Sequence, residues 1–210
     1  MKRIQRLTAL LLVLAMTLCA ATAMAATLLP EGPKDQPAPG QPLHATVGQY
    51  DEIYDTFTVI LYDVDRFTKE DVAALQAGDI LVAGGCLNVI TEISALDGSP
   101  LLLCEDGEEI LFIQAEEENE VIAQSAINDR IFMHAVAILH LPMAENVTLT
   151  DSSDPEPDAQ PIVTVGQEAI MAVKNEKEET SIGFDYCNTT ITLNERMEIE
   201  DIQVVYDAAQ

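Results

Sequence analysis

The sequence predicts a mainly β fold: an antiparallel meander and a long C-terminal hairpin in a barrel- or sandwich-like domain, with one or two short helices. Two stretches carry that reading. In residues 75–112, short runs rich in Ile, Leu and Val alternate with Gly84-Gly85, Asp97-Gly98 and Asp106-Gly107. Glycine in such dipeptides supplies the positive φ of tight hairpin turns. In the last 30 residues, Ile182, Phe184 and Tyr186 alternate, and Ile191 and Leu193 follow with the opposite parity. The returning run behaves likewise, with Met197 and Ile199 and then Ile202, Val204 and Tyr206. Folding this stretch on Glu195 sets 193 against 197, 191 against 199, 186 against 204 and 184 against 206. Every apolar pair is then satisfied if both strands switch faces at one level, as strands do at barrel corners or between packed sheets.

The remaining elements follow in chain order. Lys2, Arg3 and Arg6 precede an apolar run, Leu7 to Leu18, and Ala23-Met24-Ala25 supplies an A-x-A cleavage site. Residues 1–25 therefore read as an export signal of bacterial type, cut after Ala25, and Cys19 is a poor lipoprotein cysteine because Leu18 stands where a small residue is needed. Residues 26–45, with prolines at 30, 33, 37, 39 and 42, read as a linker, and order is expected from Thr46 in a single domain spanning 46–207. Phe57 to Tyr62 has strand composition between Asp55 and Asp63. Thr68 and Asp71 form a T-x-x-D start for a short helix that presents Val72 and Leu75 and ends at Gly78. Ile131 to Leu141 is apolar on both faces. Its β-branched residues and Pro142 favour a strand, while its alanines and Met133 favour a helix; strand is the reading adopted. A further strand is expected at Val147 to Leu149 and another at Ile162 to Val165, after the proline-broken loop 151–161, with a weak helix at Gln167 to Lys174.

Charge bounds the partners. The chain has 10 basic residues against 36 acidic ones. Three of the basic residues and none of the acidic ones lie in residues 1–25, leaving 7 against 36, a net charge of −29. That surface repels phosphate backbones and anionic lipid, so no nucleic-acid partner and no membrane insertion after signal cleavage are expected. A cationic or protein partner suits it instead.

The thiols, imidazoles and carboxylates are the candidates for chemistry. Beyond the signal stand Cys86, Cys104 and Cys187, an odd number. The Asp97-Gly98 turn sets Thr91 opposite Cys104 and leaves Cys86 ~16 Å away at ~3.3 Å per residue, too far for a disulfide. Buried thiols are therefore expected, with a barrel that curls Cys187 onto Cys86 or Cys104 as the alternative. His134 and His140 share a strand face ~20 Å apart, too far for one metal, and read as core or rim histidines. Asp151, Asp154, Glu156 and Asp158 on one loop, and Glu105, Asp106, Glu108 and Glu109 at a meander turn, read as solvated clusters without an EF-hand register. Asn146-Val-Thr and Asn188-Thr-Thr match the glycosylation acceptor pattern by chance in such a chain. No catalytic, cofactor-binding or metal-ligating residue is assigned.

The sequence thus leads to an exported, extracellular, acidic β-rich domain with a non-enzymatic binding or structural role. The alternatives are a small secreted hydrolase with a carboxylate or thiol site, and a calcium-dependent adhesion or matrix module. A pocket with convergent polar groups favours the first alternative, and an exposed sheet edge favours binding.

Overall fold

The computed structural model describes residues 25–33, 37–154, 156, 158–175 and 184–206. Among these the chain is mainly β, as the alternation requires. The strands are β1 (Thr27–Leu28), β2 (Pro42–Asp51), β3 (Thr56–Val64), β4 (Arg66–Thr68), β5 (Ile80–Ala83), β6 (Cys86–Leu96), β7 (Ser99–Cys104), β8 (Glu109–Gln114), β9 (Glu120–Ser125), β10 (Met133–Leu141), β11 (Met143–Ser152), β12 (Ile162–Val165), β13 (Thr189–Leu193) and β14 (Ile199–Val205). The helices are α1 (Lys69–Ala74) and α2 (Gln167–Lys174). The first seven-stranded sheet runs β1-β5-β6-β7-β8-β9-β4 and the second β10-β3-β2-β13-β14-β11-β12, an arrangement consistent with a sandwich and without a closed barrel. Two pairings are parallel, β1 with β5 and β11 with β14, so both sheets are mixed.

The meander turns form where the glycines require them. Ala83 pairs with Cys86 across Gly84 and Gly85 (φ 61° and 71°), and Leu96 pairs with Ser99 across Asp97 and Gly98 (φ 51° and 86°). Two positive φ values in succession define the hairpin turn that matches strand twist. The expected register of Thr91 against Cys104 is corrected by one residue. Thr91 bulges out, its hydroxyl donating to Leu103 O at 2.9 Å, and Ile90 takes the place opposite Cys104.

Thr68 caps α1 as predicted, its Oγ1 accepting from Asp71 N at 3.1 Å and donating to Asp71 Oδ2 at 2.7 Å. The helix stops earlier than expected, however: Leu75 is already extended, and Gly78 (φ 97°) serves the next turn. Met133–Leu141 is a strand, but among the described residues it is an edge strand paired with β3 alone, with Ile138 67% exposed. Apolar residues on its outward face made this run look doubly buried. β12 and α2 fall where the sequence placed them, while β11 contains the expected Val147 to Leu149 but extends from Met143 to Ser152, into the loop expected at 151–161.

Two expectations change at the ends of the fold. The stretch 26–45, read as a linker, contributes β1 and the start of β2, with Ala45 fully buried. Four of its prolines lie outside the strands and Pro42 is the first residue of β2, while Glu31 N donates to Arg66 O and Gly40 N to Leu193 O, both at 2.8 Å. The C-terminal hairpin pairs Ile191 with Ile202 and Leu193 with Ile199, not with 199 and 197 as expected. Asn194 Oδ1 accepts from Arg196 N at 2.9 Å and from Glu198 N at 3.0 Å, building a wider turn than a fold on Glu195. Only β14 changes face, at an irregularity between Ile199 and Asp201, because Thr189, Ile191 and Leu193 are all buried on β13. Phe184 and Tyr186 precede that strand, and Ile182 lies outside the described residues.

Buried apolar side chains form two clusters. One joins Leu81, Ile90, Leu102, Ile110 and Phe112 of the first sheet with Val72 of α1 and Phe132. The other joins Val59, Leu61, Val147, Ile191 and Ile202 of the second sheet with Ala169 and Val173 of α2. Each cluster draws on the strands of one sheet, and the chain crosses between the sheets from β1 to β2, β3 to β4 and β9 to β10.

Candidate functional site

The crossing from β3 to β4 takes a single residue, Asp65, and it is completely buried. Its backbone N–H donates to Phe132 O at 2.9 Å, and its carbonyl accepts from Ala123 N at 3.0 Å. Its carboxylate accepts from Gly84 N at 2.5 Å and meets His134 Nδ1 at 2.6 Å. One side chain thus ties the β5–β6 turn to β10 of the other sheet. Burial pushes the Asp65 carboxyl above the ordinary carboxylate range, opposed by the Gly84 and His134 hydrogen bonds. Nearby Asp63 adds a smaller upward push and is itself bonded to Arg66 Nη1 at 2.8 Å.

Beside this junction a cleft of about 130 Å³ opens between Gly84 and Cys86, Asp106 and Glu108, Arg130 and Phe132, and Tyr186. Phe132 leans on the hairpin so closely that a Cβ at Gly84 would stand 2.9 Å from its ring. Arg130 lies 5.9 Å from the centre of the same ring. Tyr186 stacks on Tyr62 with ring centroids 4.2 Å apart, and burial, then its hydrogen bond with Cys187, pushes its phenol up to about 12.

The structure separates the residues that sequence reasoning singled out. Cys86, Cys104 and Cys187 are all thiols, but only Cys104 is buried and Cys86 is exposed, correcting the expectation of buried thiols. Burial, then Asp106 and Glu108, push the Cys104 thiol up to about 11, the opposite of an activated nucleophile. A bulge at Val136 on β10 turns His134 and His140 to opposite faces, which corrects their expected common face. The carboxylates of Asp151, Asp154 and Asp106 accept from the N–H groups two residues on, at 2.9, 2.9 and 3.1 Å, and so build their own turns. Among the described residues no group of three or more His, Cys, Asp or Glu could hold a metal ion. Asn188 is buried, its Oδ1 accepting from Asp185 N and Thr189 Oγ1. Asp65 was missed, although an acidic residue inside the D-V-D-R crossing between two strands is a readable signal.

The second feature is an edge. β12 ends the second sheet and pairs only with β11 among the described residues. Ile162, Val163 and Val165 are 66%, 57% and 55% exposed, so both faces of the strand present aliphatic surface. The loop leading into it carries Asp151, Asp154, Glu156 and Asp158. Thr164 Oγ1 is buried without a hydrogen-bond partner among the described residues.

Comparison with protein-family models, with curated proteins and with solved structures gives no match for this chain.

Proposed function

We propose that this chain is an exported, non-enzymatic binding protein, and that it takes a basic, extended segment of a partner protein along the outer edge of β12. The observation that carries the reading is that edge: a short aliphatic strand at the end of a sheet, bordered by an acidic loop. An unpaired edge offers N–H and C=O groups at strand spacing, and side chains alternate to either face, so an added strand gains both hydrogen bonds and apolar contact. Loop carboxylates and a net charge of −29 select Lys or Arg in the flanks of that segment.

The test is calorimetric titration with a synthetic peptide of alternating Val and Thr flanked by lysines, against a version flanked by glutamates. Binding of the lysine peptide that weakens with salt, and weakens about tenfold or more in Val163→Pro, is expected. Proline removes a donor and cannot continue a paired edge. Equal binding of both peptides, or binding indifferent to Val163→Pro, would overturn the proposal.

A further inference from the structure

We infer that the Ala25–Ala26 bond is the processing point of the chain and that Asp79 receives the α-ammonium group which cleavage creates. The inference rests on the export reading but uses different atoms. Ala26 N lies 2.8 Å from Asp79 Oδ1, and Ala26 O accepts from Ile80 N at 2.8 Å, so the first residue after the A-x-A motif is held at both ends. The two residues that follow, Thr27 and Leu28, pair in parallel with Ile80 and Leu81, and Leu28 packs against the first core.

Hydrolysis by a signal-processing peptidase adds water across that bond. The carbonyl carbon of Ala25 takes the hydroxide and departs with residues 1–25 as a carboxylate. The nitrogen of Ala26 takes the protons and becomes an ammonium group. Before the cut this nitrogen offers Asp79 one neutral amide hydrogen; afterwards it offers three hydrogens and a positive charge. Charge-assisted hydrogen bonds are roughly twice as strong as neutral ones. The other Asp79 oxygen accepts from a neutral amide, Gln76 N at 2.9 Å, and the adjoining strand Ile80–Ala83 brings no charged side chain. In a mature chain with 7 basic residues against 36 acidic ones, the new terminus is a scarce cation delivered to a waiting carboxylate. A two-residue edge strand gains most from such a pin, because little else holds its leading end.

The experiment compares protein beginning at Ala26, protein beginning at Ala25, and Asp79→Asn in both. The Ala26 amine should titrate above the ordinary range of about 7.7–8.0 and should acylate at pH 7 about threefold more slowly than in Asp79→Asn. The difference should vanish in protein beginning at Ala25, whose ammonium sits ~3.5 Å further along the chain. This second comparison keeps Asp79 and so does not depend on that variant folding. Equal titration in wild type and Asp79→Asn would overturn the inference. The mass of material secreted from the full chain separates the two readings: a start at Ala26 supports both. A start elsewhere removes the Asp79 pin and leaves export standing, and retention of the uncut chain removes both.

Discussion

Replacing Asp65 tests how the two sheets are joined. In Asp65→Ala, Gly84 N–H and His134 Nδ1 lose their shared acceptor at a crossing with no exposure. Each polar group left without a partner costs about 1–3 kcal/mol. Two groups lose their partner here, so the expected loss is about 2–6 kcal/mol. For a chain of this size each kcal/mol moves Tm by about 2–4 °C, so a fall of roughly 4–24 °C is expected. Asp65→Asn keeps an acceptor for Gly84 and should lose less.

The pH dependence then separates burial from pairing. The folded Asp65 carboxyl is raised, so its contribution is fullest below the unfolded value of 3.8 and declines as pH rises through the higher folded value. The stability of wild type minus that of Asp65→Asn should therefore fall as pH is raised from below 3.8, read by urea unfolding in which the other carboxylates cancel. A loss under 1 kcal/mol in Asp65→Ala, or a difference that grows with pH, would refute the reasoning.

Four further outcomes are expected. Gly84→Ala should cost about 2 kcal/mol or more, since it combines a left-handed φ with a Cβ 2.9 Å from Phe132, whereas Gly85→Ala, with nothing within 4 Å, should cost only about 1 kcal/mol in urea unfolding. Thr164→Val should gain about 1 kcal/mol by the same measure, because it removes a buried hydroxyl without a partner and leaves the backbone edge intact. Maleimide at neutral pH should modify exposed Cys86 first and Cys104 only on unfolding, with three thiols labelled in denaturant, as peptide mass mapping can show. Sodium chloride should raise Tm by screening a net charge of −26 over ~10 Å at 0.1 M, and calcium added at high salt should contribute little more by calorimetry.

What the sequence made legible was local chemistry. Gly84-Gly85 and Asp97-Gly98 form their turns because few other dipeptides accept two positive φ values, and Thr68 caps its helix because its hydroxyl finds the amide of Asp71 three residues on. Long-range geometry was legible only in part. The bulges at Thr91 and Val136 each add one residue to one strand, and no composition marks them, so the register of Cys104 and the faces of His134 and His140 came out wrong. The C-terminal turn was misjudged because Asn194 draws two N–H groups to its side chain, an outcome that apolar pairing alone does not encode. Prolines in 26–45 suggested a linker, although four of them fall outside the strands and Pro42 is the first residue of β2, a place that tolerates proline. Asp65 escaped notice because its partners, Gly84 and His134, lie 19 and 69 residues away.

Charge and edge explain each other. A bare aliphatic strand at the end of a sheet invites pairing with any similar strand, including that of a second copy. Two copies approaching edge to edge would bring together two acidic loops and two chains of net charge −26, which opposes their pairing at moderate ionic strength. Under the proposed function, the same charge draws a basic segment to the same place. Under this reading the acidity of the chain keeps β12 open to a partner of opposite charge while holding identical molecules apart. Neutralising Asp154, Glu156 and Asp158 would then weaken the partner and relax the barrier to self-pairing together, two effects that a merely solubilising surface would not link to one loop.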